Sequence, residues 1–218
     1  EVEIAAKRYQ KELDEEIARD REAHGLKQLK SKKKENSEKK EIKASTTDPD
    51  CGYFHKGEKE KCFAYNVNAA CDRRGYVMAM SLDAGNVHDS VAFDPLKDDI
   101  DHIHGEDVET LVMDTGYSTA PICHRVHKDG QEAIVPAKRT AAKRKGAYRK
   151  HQYQYNKEED CYVCPVGCII EYKTTTREGK RQYRSDGKQC ESCPNLKRCT
   201  LSENHVKVIE RHVWQEDL

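Results

Sequence analysis

Apolar residues recur along this chain with two different periods. Near the amino end Val2, Ala6, Tyr9, Leu13 and Ile17 fall three and four apart on an otherwise charged surface, and that spacing predicts a helix within residues 1 to 30. The stretch "LKSKKKENSEKKEIKAS" loses all periodicity and reads as a solvated linker. From "STTDPD" onward the texture changes, beginning with turn-forming Asp48, Pro49 and Asp50. "CFAYNVNAACD" (62–72) and "GYVMAMSLDAG" (75–85) are strand-like and tightly joined through Arg73 and Arg74, a β-hairpin pattern. "GNVHDSVAFDPLKDDI" predicts a short helix capped by His88 or Asp89, with Pro95 limiting its regularity. A strand over 108–114, a helix from Ser118 to the neighbourhood of Lys128, and a strand "EAIVP" (132–136) complete the series. The order β-β-α-β-α-β predicts an α/β sheet with a hairpin at one side.

Composition narrows the classes. Of 218 residues, 36% are hydrophobic and 36% charged, so one real core with long solvated segments is expected. Lys+Arg and Asp+Glu balance at 39 each, so any nucleic-acid surface must come from local segregation of charge. No run of apolar residues is long enough for a transmembrane helix, and "EVEIAAKRYQ" has neither the basic start nor the apolar stretch of a signal peptide. Ten cysteines without an export signal point to a reducing, cytoplasmic setting and to metal binding rather than disulfides.

Six cysteines cluster. "DCYVCPVGC" carries Cys161, Cys164 and Cys168, and "CESCPNLKRC" carries Cys190, Cys193 and Cys199. Two C-x-x-C units, each followed by Pro, have the form of a zinc ribbon, and "IIEYKTTTREGKRQYRS" between them alternates like a hairpin that would bring the two turns together. Spacing alone selects Cys161, Cys164, Cys190 and Cys193; six thiols exceed the four that one Zn²⁺ needs, so the ligand set stays open. Cys51, Cys62, Cys71 and Cys123 are scattered and expected to be packing residues. Upstream, "PAKRTAAKRKGAYRKHQYQY" concentrates Lys138, Arg139, Lys143, Arg144, Lys145, Arg149 and Lys150. Such a block neutralises phosphates, and Tyr148, Tyr153 and Tyr155 could stack on bases.

"VETLVMDTGYSTAPI" runs an apolar strand into Asp114 and then turns. An Asp there is a turn or helix-capping residue, or a metal ligand held at the edge of a sheet. One carboxylate cannot hold two metal ions, and Asp72, Asp83, Asp89, Asp94 and the run "KDDIDHIHGEDVE" do not assemble into a site by spacing. Asp72 is expected to be structural at the hairpin turn, and the acidic run to face solvent.

Several stretches together resemble the DDE transposases of bacterial insertion sequences, in the branch with a cysteine-rich insertion. They are "STTDPDCGYFHKGEKEKCFAYNVNAACDRRGYVMAMSLDAGNVHDS", "VMDTGYSTAPI", "AIVPAK" and "YVCPVGC…YRS…CESCPNLKRC". The resemblance implies an RNase H-like core in which three carboxylates bind two Mg²⁺ or Mn²⁺ ions for DNA strand cleavage and transfer, with Asp114 the second of the three. It implies double-stranded DNA as partner, self-association, a nucleoid-associated location, and Zn²⁺ on Cys164, Cys190, Cys193 and Cys199. The family's first aspartate lies on a strand upstream of the charged helix, and its glutamate lies beyond the cysteine region; Glu210 and Glu216 sit too early to match it. The expectation is therefore an α/β chain with an incomplete RNase H-like core (45–150), an amino-terminal charged helical segment and linker (1–44) and a zinc-ribbon-like insertion (151–212), inactive as an internal fragment. Two other readings stay open: a non-catalytic, zinc-stabilised nucleic-acid-binding protein in which Asp114 merely caps a helix, and a zinc-held protein-interaction module.

Overall fold

A computed structural model describes residues 2–30, 43–56, 60–137 and 144–218. Lys138, Arg139 and Lys143 of the basic block lie outside the described residues. The fold is mixed α/β, and the chain divides into two compact units. One comprises Glu1–Tyr9, Ser31–Ala137 and Asp217–Leu218; the other comprises Gln10–Lys30 and Lys138–Glu216. The boundary falls within the first helix, α1 (Val2–Ala23).

The first unit holds the predicted β-β-α-β-α-β series. β2 (Glu60–Cys71) and β3 (Val77–Ala84) form the hairpin, and Asp72 closes it by accepting from the backbone N–H groups of Arg74 (2.8 Å) and Tyr76 (2.9 Å). An additional strand, β1 (Gly52–Lys56), pairs antiparallel with residues 60–64 of β2, while β3 pairs with residues 65–71. Each residue of β2 therefore has one strand partner, and its other edge is open among the described residues. Asn66, Asn68 and Ala70 face one side of the pleat; Tyr65, Val67 and Ala69 are exposed on the other.

Helix α2 (Asp89–His104) starts at a His88 cap whose side chain accepts from the Ser90 N–H. It runs through Pro95 to His104 rather than stopping short. Burial of Ala92, Phe93, Leu96 and Ile100 along one stripe outweighs the single backbone hydrogen bond that proline forfeits. The acidic run is likewise not simply a solvated connection. Lys97 is 0% exposed, and its ammonium meets Asp101 at 2.5 Å and Asp129 at 3.0 Å, while Arg125 joins Asp98 and Asp129. β4 (Thr110–Val112) pairs in parallel with β5 (Glu132–Ile134), joined by α3 (Ala120–Lys128), which buries Ala120, Ile122, Cys123 and Val126. α3 begins two residues later than the spacing predicts because Thr115–Tyr117 forms a separate 3₁₀ turn.

The second unit is a five-stranded antiparallel meander. β6 (Gln154–Asn156), β7 (Cys161–Val163), β8 (Ile169–Thr175), β9 (Lys180–Ser185) and β10 (Val208–His212) lie side by side in chain order. The predicted hairpin between the cysteine groups is β8–β9. Its core is aromatic: Tyr153, Tyr162, Ile170, Tyr183 and Ile209 are buried, and Tyr148, Tyr155 and Tyr172 pack against them. Two short helices, α4 (Gly187–Glu191) and α5 (Leu196–Cys199), follow β9. The carboxyl part of α1 docks here. Leu13 and Ile17 are buried, Asp20 accepts from Arg181 Nε at 2.6 Å and from the Thr175 hydroxyl, and Arg21 donates to Thr174 Oγ1 and the Thr175 carbonyl at 2.8 Å each.

Candidate functional site

Strand β4 delivers Met113, whose N–H still donates to the Ile134 carbonyl, and then Asp114. Asp114 Oδ1 accepts from the Gly116 N–H at 2.7 Å, so the carboxylate caps its own 3₁₀ turn. Asp89, the first residue of α2, reaches the same place. A Cβ at position 116 would lie 2.9 Å from Asp114 Oδ1 and 3.0 Å from Asp89 Oδ2, closer than side chains pack, so glycine is what allows the two carboxylates to converge. Asn66 of β2 donates to Asp89 Oδ1 at 3.1 Å.

A third carboxylate stands nearby. Asp83 accepts from Asn68 Nδ2 and Ser81 Oγ, both at 3.1 Å, and Asn68 in turn accepts from the Tyr117 hydroxyl at 3.1 Å. Burial, then Asp89, Asp114 and Asp83, raise the Tyr117 phenol pKa, an electrostatic record of three acids around one ring. Spacing did not unite these residues. The available signal was polar Asn66 and Asn68 at inward-facing positions of β2, where a purely structural strand carries apolar side chains.

Asn66 lies mid-way along β2 and Asp114 lies just past the end of β4, and both adjoin Asp89. The two strands are not paired. Beneath them α2 packs Leu96 and Ile100 against Ala79 and Ala70 on the hairpin side, and Phe93 against Ile122, Val126, Leu111 and Met113 on the β4 side. The strands of this unit thus form two separate sheets packed on α2, with an open edge on each of β2 and β4 among the described residues and with Val112 77% exposed.

In the second unit Cys164, Cys168, Cys190, Cys193 and Cys199 line one cavity of about 20 Å³ together with Tyr148, Ile170 and Lys207. Cys161 is not among them. Strand geometry turns it toward the opposite side, where its Sγ lies 3.7 Å from Glu159 Oε2. The set that spacing alone selected therefore does not line one cavity, whereas Cys164, Cys190, Cys193 and Cys199 do, with Cys168 beside them. The Cys168 N–H donates to Cys164 Sγ at 3.3 Å, and the Tyr153 hydroxyl and Cys199 Sγ lie 3.2 Å apart. Burial and then the neighbouring thiols Cys164, Cys190 and Cys193 raise the Cys168 pKa; burial raises that of Cys199. A divalent cation would reverse that mutual repulsion, so the donor set suits a soft metal. Among the described residues, however, no three His, Cys, Asp or Glu side chains stand in a metal-holding arrangement.

A family model for the transposase DDE domain matches residues 37–208. The chain belongs to that family. No curated protein and no solved structure matches it. Members of the DDE transposase family act on DNA and use divalent metals. No described helix of this DDE domain is long and apolar enough to cross a membrane.

Two readings of the DDE chain need correction. Tyr153 and Tyr155 are not free to stack on bases: Tyr153 is 4% exposed under Lys207, and Tyr155 lies beneath Arg211 with its hydroxyl bonded to Asp160 at 2.6 Å. Tyr148 is covered by Arg198. Of the described basic residues, Lys145, Arg149 and Lys150 are exposed and Arg144 is partly buried; partial desolvation of the Lys150 ammonium and then the Arg211 charge lower the Lys150 pKa. Among the scattered cysteines only Cys123 is buried; Cys62 and Cys71 are exposed.

Proposed function

We propose that this chain acts as an insertion-sequence transposase that cleaves and transfers double-stranded DNA ends, with Asp114 a ligand of Mg²⁺ or Mn²⁺. The observation that carries the reading is the convergence of Asp114 and Asp89 at Gly116. In this reading residues 45–150 are an RNase H-like core. The family's other two carboxylates, an aspartate on its first core strand and a glutamate on a later helix, would complete the site. Divalent metal, when bound, polarises the scissile phosphate and activates the attacking oxygen. Asp114 would hold the cation, Asn66 would keep Asp89 turned toward it, and Gly116 would keep the approach clear.

Lys138, Arg139, Lys143, Arg144, Lys145, Arg149 and Lys150 contact phosphates, and residues 151–212 form an insertion held by Zn²⁺ on Cys164, Cys190, Cys193 and Cys199. The protein self-associates on DNA and works in the cytoplasm at the nucleoid. Mn²⁺ titration followed by electron paramagnetic resonance tests the central assignment. Asp114→Asn, which retains the capping oxygen, should weaken binding by at least about tenfold, the loss expected for a charged ligand. Unchanged affinity would remove Asp114 from the site.

The bond from the Gly116 N–H to Asp114 supports a second reading, in which Asp114 only caps its turn and the chain is a zinc-stabilised nucleic-acid-binding protein. That reading expects salt-dependent DNA binding indifferent to Asp114→Asn.

A further inference from the structure

We infer that Tyr117 and Asn68 are a positioning pair that fixes Asp114 across the open side of β4; the inference rests on the reading of Asp114 as a metal ligand. Among the described residues β4 is paired only with β5, through Thr110, Leu111 and Val112, and past Met113 the chain leaves the sheet. The turn that follows is tied internally. Gly116 donates to the Asp114 carboxylate at 2.7 Å and the Tyr117 N–H to the Asp114 carbonyl at 3.2 Å. These bonds make Asp114 and its turn one rigid piece but say nothing of where that piece sits relative to β2.

The Tyr117 hydroxyl supplies the missing tie. It donates to Asn68 Oδ1 at 3.1 Å, crossing from the end of β4 to the middle of β2. Asn68 is 5% exposed, and both ends of its amide are in use. Its Nδ2 donates to Asp83, a carboxylate that can only accept when ionised, so the amide oxygen must face Tyr117. Ser81 donates to the same Asp83 oxygen and holds that carboxylate in turn. The tyrosine ring rests near Phe93 of α2, centroids 6.0 Å apart, so the hydroxyl is aimed as well as bonded. The tie runs from α2 and β3 through β2 to the turn that carries Asp114, with no unsatisfied partner along it. Neither Tyr117 nor Asn68 is asked to touch DNA or metal.

The experiment is Mn²⁺ titration by electron paramagnetic resonance on the full chain, with far-UV circular dichroism and thermal unfolding run on each variant. Tyr117→Phe keeps the ring and deletes one hydroxyl; Asn68→Ala removes the acceptor. Each should weaken Mn²⁺ binding by about three- to tenfold, the worth of one hydrogen bond, while the folded spectrum persists. The double variant should bind no more weakly than Asn68→Ala alone, because the two residues act through one bond. Tyr65→Phe, which deletes a hydroxyl bonded to Asp48 in the same unit, should leave the affinity unchanged. Tyr117→Phe binding as tightly as the parent, or the two effects adding, overturns the pair. If Asp114→Asn itself leaves Mn²⁺ affinity intact, the metal-site reading has failed, and the pair's role fails with it.

Discussion

The two units solve the problem of a polar sequence in opposite ways. The first unit spends its aliphatic residues on one side, packing α2 and α3 under two separate sheets, and leaves Val67, Met80, Leu82, Val112 and Ile134 exposed. The cysteine-bearing unit has few aliphatics and builds its core from tyrosines. Their hydroxyls are gathered by one carboxylate: Asp160 accepts from Tyr155 and Tyr183 at 2.6 Å each, and lies 2.7 Å from His24 Nε2. An aliphatic core tolerates open edges because helix burial alone stabilises it. An aromatic, hydrogen-bonded core needs every partner present, since each buried hydroxyl left unpaired costs free energy.

That contrast can be broken experimentally. The largest effect should come from metal removal. If Zn²⁺ occupies the thiol cavity, a strong chelator should abolish cooperative unfolding of the cysteine-bearing unit, because a structural site contributes on the order of 10 kcal/mol of binding free energy. Tyrosine near-UV circular dichroism reports it, and the DDE unit's transition should stay in place. An unmoved tyrosine transition after chelation, with the metal shown to be gone, would make the aromatic core self-sufficient.

Lys97→Ala should come next, costing about 3 kcal/mol in the DDE unit, because it leaves Asp101 and Asp129 facing each other without their buried cation. Denaturant unfolding measures this; a loss below about 1 kcal/mol would mean that Arg125 compensates. Asp160→Ala should destabilise the other unit by roughly 2–3 kcal/mol, through two orphaned hydroxyls and a backbone at φ +43° that alanine adopts poorly. Asp160→Asn, which keeps an acceptor and suits that backbone, should cost clearly less. Equal losses for the two would locate the effect in charge rather than in hydrogen bonding.

Acid should produce the smallest and most graded difference. Burial pushes the Asp160 carboxyl up, but the Tyr155, Tyr183 and His24 bonds overcome it and hold the pKa below its ordinary value. A carboxyl depressed in the folded state contributes stability above its unfolded pKa, about 4, and loses it as pH falls through the folded value. In the DDE unit Asp129 is lowered in the same sense, against a burial effect, by Lys97 and Arg125, whereas Asp94 is raised, chiefly by burial, and opposes it. The cysteine-bearing unit should therefore lose hydrogen-exchange protection first between about pH 5 and 2. The reverse order would show that some group other than Asp160 governs its acid response.

Much of this fold was legible in advance. Period-2 and period-3.6 runs gave β2, β3, α2, β4, α3 and β5, and the alternation between the cysteine groups gave β8 and β9. β1 was missed because "GYFHK" is five residues long and has no apolar alternation to mark it. Pro95 was overweighted, since a local breaker rule cannot see the buried stripe that overrides it. The basic-aromatic run was misread because interleaved Lys and Tyr look the same whether the rings await a base or fill a core. Asp114 stood out at a strand end, but its neighbours did not: Asp83 and Asp89 come to it through Asn68, Tyr117 and Gly116, none of which announces a through-space partner.

The sequence by itself determined the local periods, the turn at Asp72, the placing of Asp114 just after an apolar strand, and a concentration of thiols with metal-ligand spacing. Only the tertiary structure decided which of those groups meet. It turned Cys161 away from the cavity that Cys164 and Cys168 share with Cys190, Cys193 and Cys199, and it brought Asp89 beside Asp114 while leaving β2 and β4 unpaired. The reason is physical. A period of two or 3.6 is set by the dihedrals of consecutive residues, whereas convergence is set by the packing of elements far apart in the chain, and no spacing along the sequence encodes that distance.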